Sequence, residues 1–177
     1  MGGKHIVVAG TCQEYGLQSG CLSETFAPSP TTTYGKEKNE LRIYLEQLQK
    51  NTSFSFQWIR LFYMNGKGQH PTSIIPQLAA AIKRNEPILN MSVGEQTPDY
   101  LPVNKVPEYI CSIAAQREVD GVVNCCSATP ISIKQLEEKF IYENQTAILL
   151  NLGFTHLPIY EPMHFWDDNA KLKSIKE

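Results

Sequence analysis

Short apolar runs alternate along the chain with segments of helical periodicity. Residues 5–10 form an apolar run rich in β-branched side chains, which is typical of a buried strand. Residues 34–50 place leucine and isoleucine at helical spacing, and residues 54–64 form the next apolar run. The order strand, helix, strand predicts a βαβ unit, and therefore a parallel sheet.

The second half of the chain repeats this alternation with shorter elements. The predicted helices cover 72–84, 103–116 and 133–143, and the predicted strands cover 87–93 and 120–126. Ser132 is a predicted N-cap for the last of these helices, because Gln135 follows it at the spacing of a capping box. Residues 152–177 show little periodicity, so no regular element is predicted there.

The composition is that of an ordinary folded domain. Of the 177 residues, 42% are apolar and only 19% are charged, which supplies a core and argues against disorder. Sixteen basic and eighteen acidic residues leave a net charge of −2, so a nucleic-acid-binding surface is not expected. The sequence contains no apolar run of about 18 residues, so no membrane span is predicted.

The cysteines and histidines predict free thiols and no metal site. The five cysteines are an odd number, none forms a C-x-x-C pair, and the first residues lack the apolar core of a signal peptide. These features favour a reducing compartment, and we expect a cytoplasmic protein. The four histidines stand singly along the chain, without the spacing of metal ligands.

A Tyr-x-x-x-Lys pattern opens the first predicted helix. Tyr34 and Lys38 are four residues apart, so both side chains fall on one helical face. An ammonium group near a phenol favours the phenolate, so Tyr34 is predicted to donate or accept a proton near neutral pH. The alternative is that the spacing arises by chance and Lys38 is a solvated surface charge.

A second hydroxyl group stands at the end of the first predicted strand. Thr11 follows that strand, and a side chain at this end of a parallel strand can project into a ligand-binding crevice. Tyr15-Gly16 comes next, and the Tyr-x-x-x-Lys pattern begins 23 residues after Thr11. This order resembles that of the extended short-chain dehydrogenase/reductases, which include nucleotide-sugar epimerases, dehydratases and 4-ketoreductases.

Two later segments are similar to the same family. Residues 60–66, Arg-Leu-Phe-Tyr-Met-Asn-Gly, resemble the strand and loop that follow the catalytic helix. Residues 94–103 resemble the family's R-D-Y-x-x-V segment. The resemblance implies an α/β fold, with the C-terminal strands of a Rossmann-like parallel sheet and a small α+β part that binds the sugar nucleotide.

The resemblance also implies a role for individual residues. Tyr34 would be the catalytic acid/base, and Lys38 would lower its pKa and contact the ribose of the nicotinamide cofactor, so both residues also bind that cofactor. Thr11 would hydrogen-bond the reacting oxygen. The implied substrate-binding residues are Thr11, Tyr63, Ser73, Asp99 and Tyr100, although Tyr100 has packing as an alternative role.

By the same resemblance, the protein is expected to act on a nucleotide-linked hexose or deoxyhexose with NAD or NADP. The reaction type stays open among reduction, epimerisation and dehydration. Residues 1–64 would form the C-terminal part of the Rossmann-like domain, and residues 65–177 the substrate-binding part, interleaved with the last Rossmann elements. The expected partners are the nucleotide sugar and either a separate N-terminal half or a second copy of the chain.

The sequence departs from the family pattern at three points. Pro98 stands where an arginine usually precedes Asp99, and Tyr63 stands where many members have an asparagine. The sequence also contains no G-x-G-x-x-G motif, so it resembles the C-terminal two-thirds of such an enzyme, and cofactor binding by this chain alone is not expected. The alternatives are a non-catalytic or vestigial nucleotide-sugar-binding protein, or one half of a split enzyme.

Overall fold

The computed structural model of the chain describes residues 4–156 and 161–175. Its strands are, in chain order, β1 (His5–Thr11), β2 (Gly20–Cys21), β3 (Ser55–Leu61), β4 (Tyr63–Asn65), β5 (Ile88–Asn90), β6 (Thr97–Pro98), β7 (Tyr100–Pro102), β8 (Gly121–Cys125), β9 (Leu149–Asn151) and β10 (His164–Trp166). Its α-helices are α1 (Thr33–Asn51), α2 (Ile74–Lys83), α3 (Val106–Ala115), α4 (Ile133–Glu143) and α5 (Ala170–Ser174). A 3₁₀ turn, Cys12–Tyr15, directly follows β1.

The largest sheet has three parallel strands in the order β1, β3, β8. His5 pairs with Ser55, and Gln57 pairs with Gly121, so the strands run in one direction and end at the same edge. The helix α1 connects β1 to β3 and contacts both strands. The predicted α/β fold with a parallel sheet is therefore confirmed, and the carboxyl ends of β1, β3 and β8 mark the edge where ligands bind in such sheets.

The predicted continuous strand over 54–64 is wrong, because the chain leaves the central sheet at Phe62. The backbone amide of Phe62 donates to the carbonyl oxygen of Cys125 over 3.0 Å, which ends the β3 pairing. The next three residues form β4, which pairs with β7 in a separate two-stranded sheet. Apolar residues continue through both strands, so the sequence pattern does not reveal the break.

Two further small sheets complete the second half of the chain. β5 pairs with β9, and β10 lies between β2 and β6, all of them in parallel. Two- and three-residue strands are too short to show periodicity, so the sequence pattern does not predict β2, β6, β7, β9 or β10. The prediction that residues 152–177 form no regular element is also wrong, since β10 and α5 lie within that range.

The two faces of β3 have different partners. Ile59 is buried in a cluster with Val123 of β8, Ile113 of α3 and Leu172 of α5. Trp58 and Arg60 alternate with Ile59, so they face the opposite side, where Arg60 meets the 3₁₀ turn that follows β1. The central sheet is therefore covered on both faces, as a parallel sheet requires.

The predicted helices are observed, with bounds that differ mainly at their first turns. The helix predicted over 133–143 has those bounds, and Ser132 forms the predicted capping box with Gln135. The helix predicted over 103–116 begins only at Val106, next to Pro107. Within the described residues, no helix is both long enough and apolar enough to cross a membrane.

Candidate active site

Thr11 lies at the carboxyl end of β1 and caps the 3₁₀ turn that follows. Its side-chain oxygen accepts a hydrogen bond from the backbone amide of Gln13 over 3.3 Å. Glu14 reaches back and accepts from the backbone amide of Thr11 over 3.0 Å, which completes a capping box. Both hydrogen bonds hold Thr11 at the edge where the strands end, with a hydroxyl proton that can rotate toward a bound oxygen.

Glu14 is a fully buried carboxylate that ties this turn to β3. One oxygen, Oε1, also accepts from Nε1 of Trp58 over 2.8 Å, and Oε2 accepts from Nε of Arg60 over 2.9 Å. Arg60 is buried as well, and its guanidinium carbon lies 4.3 Å from the centroid of the Tyr15 ring. A buried carboxylate of this kind is stable only because it is paired and hydrogen-bonded.

The start of α1 places Tyr34 next to this turn. Thr32 caps the helix by accepting from the amide of Gly35 over 3.1 Å, and its hydroxyl donates to Oε1 of Gln13 over 2.8 Å. A Cβ atom at Gly35 would lie 2.6 Å from the carbonyl oxygen of Gln13. Glycine at this position therefore allows the helix to approach the turn that carries Thr11.

Lys38 lies one helical turn further on and faces β1. Its Nζ donates to the backbone carbonyl oxygen of Ala9 over 2.9 Å, and it lies 5.8 Å from the centroid of the Tyr34 ring. A cation at this distance interacts favourably with the ring face. The two residues of the Tyr-x-x-x-Lys pattern are thus neighbours on one helical face.

A cavity of about 360 Å³, here called the Tyr34 cavity, lies at the carboxyl edge of β1 and β3. Its walls include Thr11, Tyr34, Tyr63 and Ser73, four of the residues that the sequence singled out. The Tyr34 side chain is half exposed and is therefore accessible to a ligand. Lys67 also lines this cavity, so its wall carries one cationic side chain among the described residues.

A larger cavity of about 640 Å³, here called the large cavity, continues from the first. The two cavities share Tyr63 and Ser73, and the large cavity is also lined by Tyr100. The ring centroids of Tyr63 and Tyr100 are 5.7 Å apart, which forms an aromatic wall. Burial, together with the nearby carboxylates of Glu161 and Glu137, raises the pKa of Tyr100 to about 12, so its hydroxyl stays protonated.

Asp99 is not at either cavity, in contrast to the substrate contact that the resemblance implies. The side chain is fully buried, and its carboxylate accepts from the amides of Ser127 over 2.7 Å and Thr129 over 3.2 Å. Both amides belong to the loop that follows β8. Asp99 therefore anchors that loop, while Tyr100, the next residue, points the other way and reaches the large cavity.

Two acidic residues of the site were missed by the sequence analysis. Glu14 could have been found, because Thr11 and Glu14 have the T-x-x-E spacing of a capping box. Glu137 lies on the buried face of α4 with Ile133 and Leu136, and it lines the large cavity. A lone charge on the apolar face of an amphipathic helix is the signal that could have singled it out.

One group of three possible metal ligands exists among the described residues, where the sequence predicted none. Ligand atoms of Cys21, Asp167 and Asp168 lie within 4.8 Å of one another, at the paired ends of β2 and β10. Burial and the two neighbouring carboxylates raise the pKa of the Cys21 thiol. Asp167 is the buried member of this group, and Cys21 and Asp168 are exposed.

Known proteins are similar to this chain in sequence and in fold. Residues 1–126 match the model of the family described as "NAD dependent epimerase/dehydratase family". The chain is 27% identical over 167 residues to dTDP-6-deoxy-L-talose 4-dehydrogenase (NAD(+)) of Aggregatibacter actinomycetemcomitans. This alignment covers 94% of the chain and 62% of the relative, so the chain spans less than two thirds of that relative's length.

Solved structures show the same fold. A UDP-N-acetylglucosamine 4-epimerase from Methanobrevibacter ruminantium, in complex with UDP-N-acetylmuramic acid, superimposes with a TM-score of 0.88 at 21% identity, covering 98% of this chain and 57% of the epimerase. A UDP-glucuronic acid 4-epimerase from Bacillus cereus, in complex with UDP-glucuronic acid and NAD, superimposes with a TM-score of 0.84 at 21% identity. This superposition covers 97% of this chain and 55% of that epimerase. On the match over residues 1–126, the chain belongs to the NAD-dependent epimerase/dehydratase family.

Proposed function

We propose that this chain supplies the acid–base residues and the substrate-binding walls of an NAD(P)-dependent enzyme that acts on a nucleotide-linked hexose or deoxyhexose. The observation that supports the proposal is the Tyr34 cavity, whose lining includes both Thr11 and Tyr34. Lys38 lies beside the Tyr34 ring. In this proposal residues 1–64 provide the acid–base part, and residues 65–177 provide most of the substrate-binding part.

Each residue has a distinct task in the proposal. Tyr34 transfers the proton at the sugar oxygen, and Thr11 donates a hydrogen bond to the same oxygen. Lys38 stabilises the phenolate by its positive charge. The aromatic wall of Tyr63 and Tyr100 binds the rest of the ligand through its apolar faces, and Ser73 contributes a hydroxyl group at the junction of the two cavities.

The residues of this chain fit only one part of a nicotinamide cofactor. Tyr34 lines the Tyr34 cavity, and Lys38 lies beside its ring with Nζ on the carbonyl oxygen of Ala9. In the proposal their hydroxyl and ammonium groups would hydrogen-bond a ribose, and the bound cofactor would supply the hydride chemistry. The pyrophosphate of a dinucleotide is held elsewhere in such folds, by a glycine-rich turn at a helix N-terminus. The sequence has no such motif, so these two residues are proposed to act together with a second segment.

Two exposed surfaces favour the version of this proposal in which a partner completes the site. They are the outer edge of β1 and one face of α1. Among the described strands, β1 pairs only with β3, and Ala9 is exposed on β1. Large apolar side chains on α1 are also exposed, including Leu41 and Tyr44. An open strand edge next to exposed apolar residues is a surface that another segment or chain can cover.

The test is reconstitution of activity. The N-terminal cofactor-binding segment of a relative is supplied, either fused ahead of Met1 or as a separate chain, and oxidation or reduction of NAD(P) is followed with UDP-linked and dTDP-linked hexoses. We expect turnover that depends on Tyr34. A folded, cofactor-binding assembly that binds nucleotide sugars but never turns them over supports instead the non-catalytic alternative.

A further inference from the structure

The walls of the large cavity have an unusual charge for a site that is proposed to take a nucleoside diphosphate derivative. Among the described lining residues are two glutamates, Glu137 and Glu161, and no lysine or arginine. A diphosphate carries negative charge, which two carboxylates without a cation would repel. Pro98 also lies on this wall, at the position where the sequence resemblance leads one to expect an arginine.

Glu137 is the central feature of this cavity. Its side chain is only 2% exposed, and its Oε2 atom is buried without a hydrogen-bond partner. Burial raises its pKa to about 7. A buried carboxylate oxygen without a partner is costly, and the structure retains one beside a cavity large enough for a ligand.

The neighbours of Glu137 complete the chemistry of the wall. Glu161 is half-buried, and Oε2 of Glu161 accepts from Nε2 of Gln96 over 3.4 Å. Tyr100 and His156 line the same cavity, and the nearby aromatic rings of Tyr63 and Phe165 are 5.2 Å apart. Carboxylate acceptors beside flat aromatic faces suit a planar or amine-bearing group that brings hydrogen-bond donors.

We propose that Glu137 determines the specificity of the large cavity by accepting hydrogen bonds from N–H donors of the ligand, as carried by a nucleobase or an amino sugar. The phosphate groups of the ligand then lie outside this cavity, against Lys67 on the wall of the adjoining Tyr34 cavity. This inference rests on the proposed function, and it adds the chemistry by which the substrate is selected.

The test measures ligand binding to the purified chain by nuclear magnetic resonance titration. The nucleobase arm compares uridine with 3-methyluridine, which lacks the imide N–H group. The amino-sugar arm compares glucosamine with glucose, and pyrophosphate alone probes for an anion site. We expect one N–H ligand to bind at least about tenfold more tightly than its control, since a hydrogen bond to a charged group is worth at least that factor.

Two variants assign the effect to Glu137. Glu137→Gln keeps the size of the side chain but removes its charge, and we expect it to lose about tenfold in affinity for the N–H ligand. The matched control is Glu138→Gln, the exposed neighbour on α4 whose carboxylate lies 3.7 Å from Lys134. It should leave the affinity unchanged, and circular dichroism of each variant verifies that it is folded.

A pH series separates a charged acceptor from a merely space-filling side chain. Because an N–H donor favours the ionised carboxylate, the affinity for uridine, whose imide keeps its proton over this range, should rise between about pH 6 and about pH 8 in the unmodified chain. Glu161, Tyr100 and His156 face the same cavity, so the series is repeated in Glu137→Gln, where the rise attributable to Glu137 should be lost.

The outcomes distinguish this inference from the proposed function. Binding of the N–H ligand that is unaffected by Glu137→Gln and by pH would overturn the inference and leave the proposed function standing. Equal binding of each N–H ligand and its control, or binding of none of these probes at millimolar concentration, also overturns it. Pyrophosphate shifts confined to residues around Glu137 would overturn the assignment of the phosphates to Lys67.

Discussion

The carboxylate of Glu14 accepts a hydrogen bond from Nε of Arg60 over 2.9 Å, and both side chains are almost completely buried. The pair joins the turn that carries Thr11 to the middle strand of the central sheet. Arg42 of α1 adds a second cation, with its Nε 3.7 Å from the same carboxylate oxygen. The position of the candidate catalytic threonine therefore depends on a buried ion pair.

Glu14→Gln should destabilise the fold strongly. The amide preserves the shape of the side chain but leaves the buried guanidinium of Arg60 without its counter-charge, a change that typically costs about 3 kcal/mol or more. Urea denaturation followed by circular dichroism measures the loss. The control is Glu86→Gln, which breaks an exposed pair with Arg84 and should cost far less, because solvent screens that pair. Equal losses in the two variants would show that the buried pair does not stabilise the fold.

Substitutions in the candidate catalytic set should have graded effects in the reconstituted enzyme. Tyr34→Phe removes the proton donor but keeps the ring, so turnover should fall by about 10²–10⁴-fold. Thr11→Val removes only a hydrogen bond to the reacting oxygen and should cost less. Lys38→Met should weaken cofactor binding, because it removes the ammonium group that is proposed to hydrogen-bond the ribose. Near-normal turnover in Tyr34→Phe would contradict the proposed mechanism.

The purified chain alone should not bind NADH or NADPH at sub-millimolar concentration. Tyr34 and Lys38 can contact a ribose, but the sequence has no glycine-rich turn whose amides would hold the pyrophosphate. Fluorescence titration of the reduced cofactor measures the affinity, and the reconstituted assembly serves as the positive control. Micromolar affinity of the isolated chain would contradict this prediction.

The isolated chain should self-associate through the outer edge of β1 and the exposed face of α1. Leu41 and Tyr44 are 42% and 61% exposed on that helix, so replacing both with lysine should reduce association. Analytical ultracentrifugation measures the distribution of species. Tyr142→Lys, at an 84% exposed position on α4, is the control and should leave association unchanged. A monomeric parent chain that melts reversibly above about 60 °C would contradict the prediction.

The stability of the fold should fall as the pH rises through the titration of Asp167. Burial raises the pKa of Asp167 to about 6, with Glu24 and Asp168 adding to the rise and a hydrogen bond with Asn124 opposing it. The folded chain therefore holds this proton at a pH where the unfolded chain, with an ordinary carboxyl pKa near 4, has released it. The contribution of Asp167 to the free energy of unfolding therefore falls between about pH 4 and about pH 6, and it remains low at higher pH.

Asp167→Asn isolates this contribution. The amide cannot ionise, so the stability of the variant relative to the parent chain should increase between about pH 4 and about pH 7 in urea denaturation. Asp168→Asn changes the adjacent exposed carboxylate and should not reproduce that increase. A constant difference between Asp167→Asn and the parent chain across this range would rule out the proposed titration.

Elements with a local residue pattern could be predicted before the fold was known. The β-branched run before Thr11 became β1, and the helical spacing after Pro30 became α1, because burial of one strand or helix face imposes its own period on the residues. The capping box between Ser132 and Gln135 is predictable from the sequence, because its two residues are only three positions apart. Likewise, the spacing of Tyr34 and Lys38 placed both on one helical face.

Relations between distant segments could not be predicted in this way, because they arise from packing. Three features depend on residues that are far apart in the chain. They are the break in the strand at Phe62, the burial of Asp99 under the loop after β8, and the pairing of β10 with β2. The same holds for the large cavity and for the charge on its walls, since Glu137 and Glu161 meet there from separate segments. A sequence pattern indicates which face of an element is apolar. It does not indicate which distant backbone group or carboxylate the opposite face contacts, because that depends on how the elements pack.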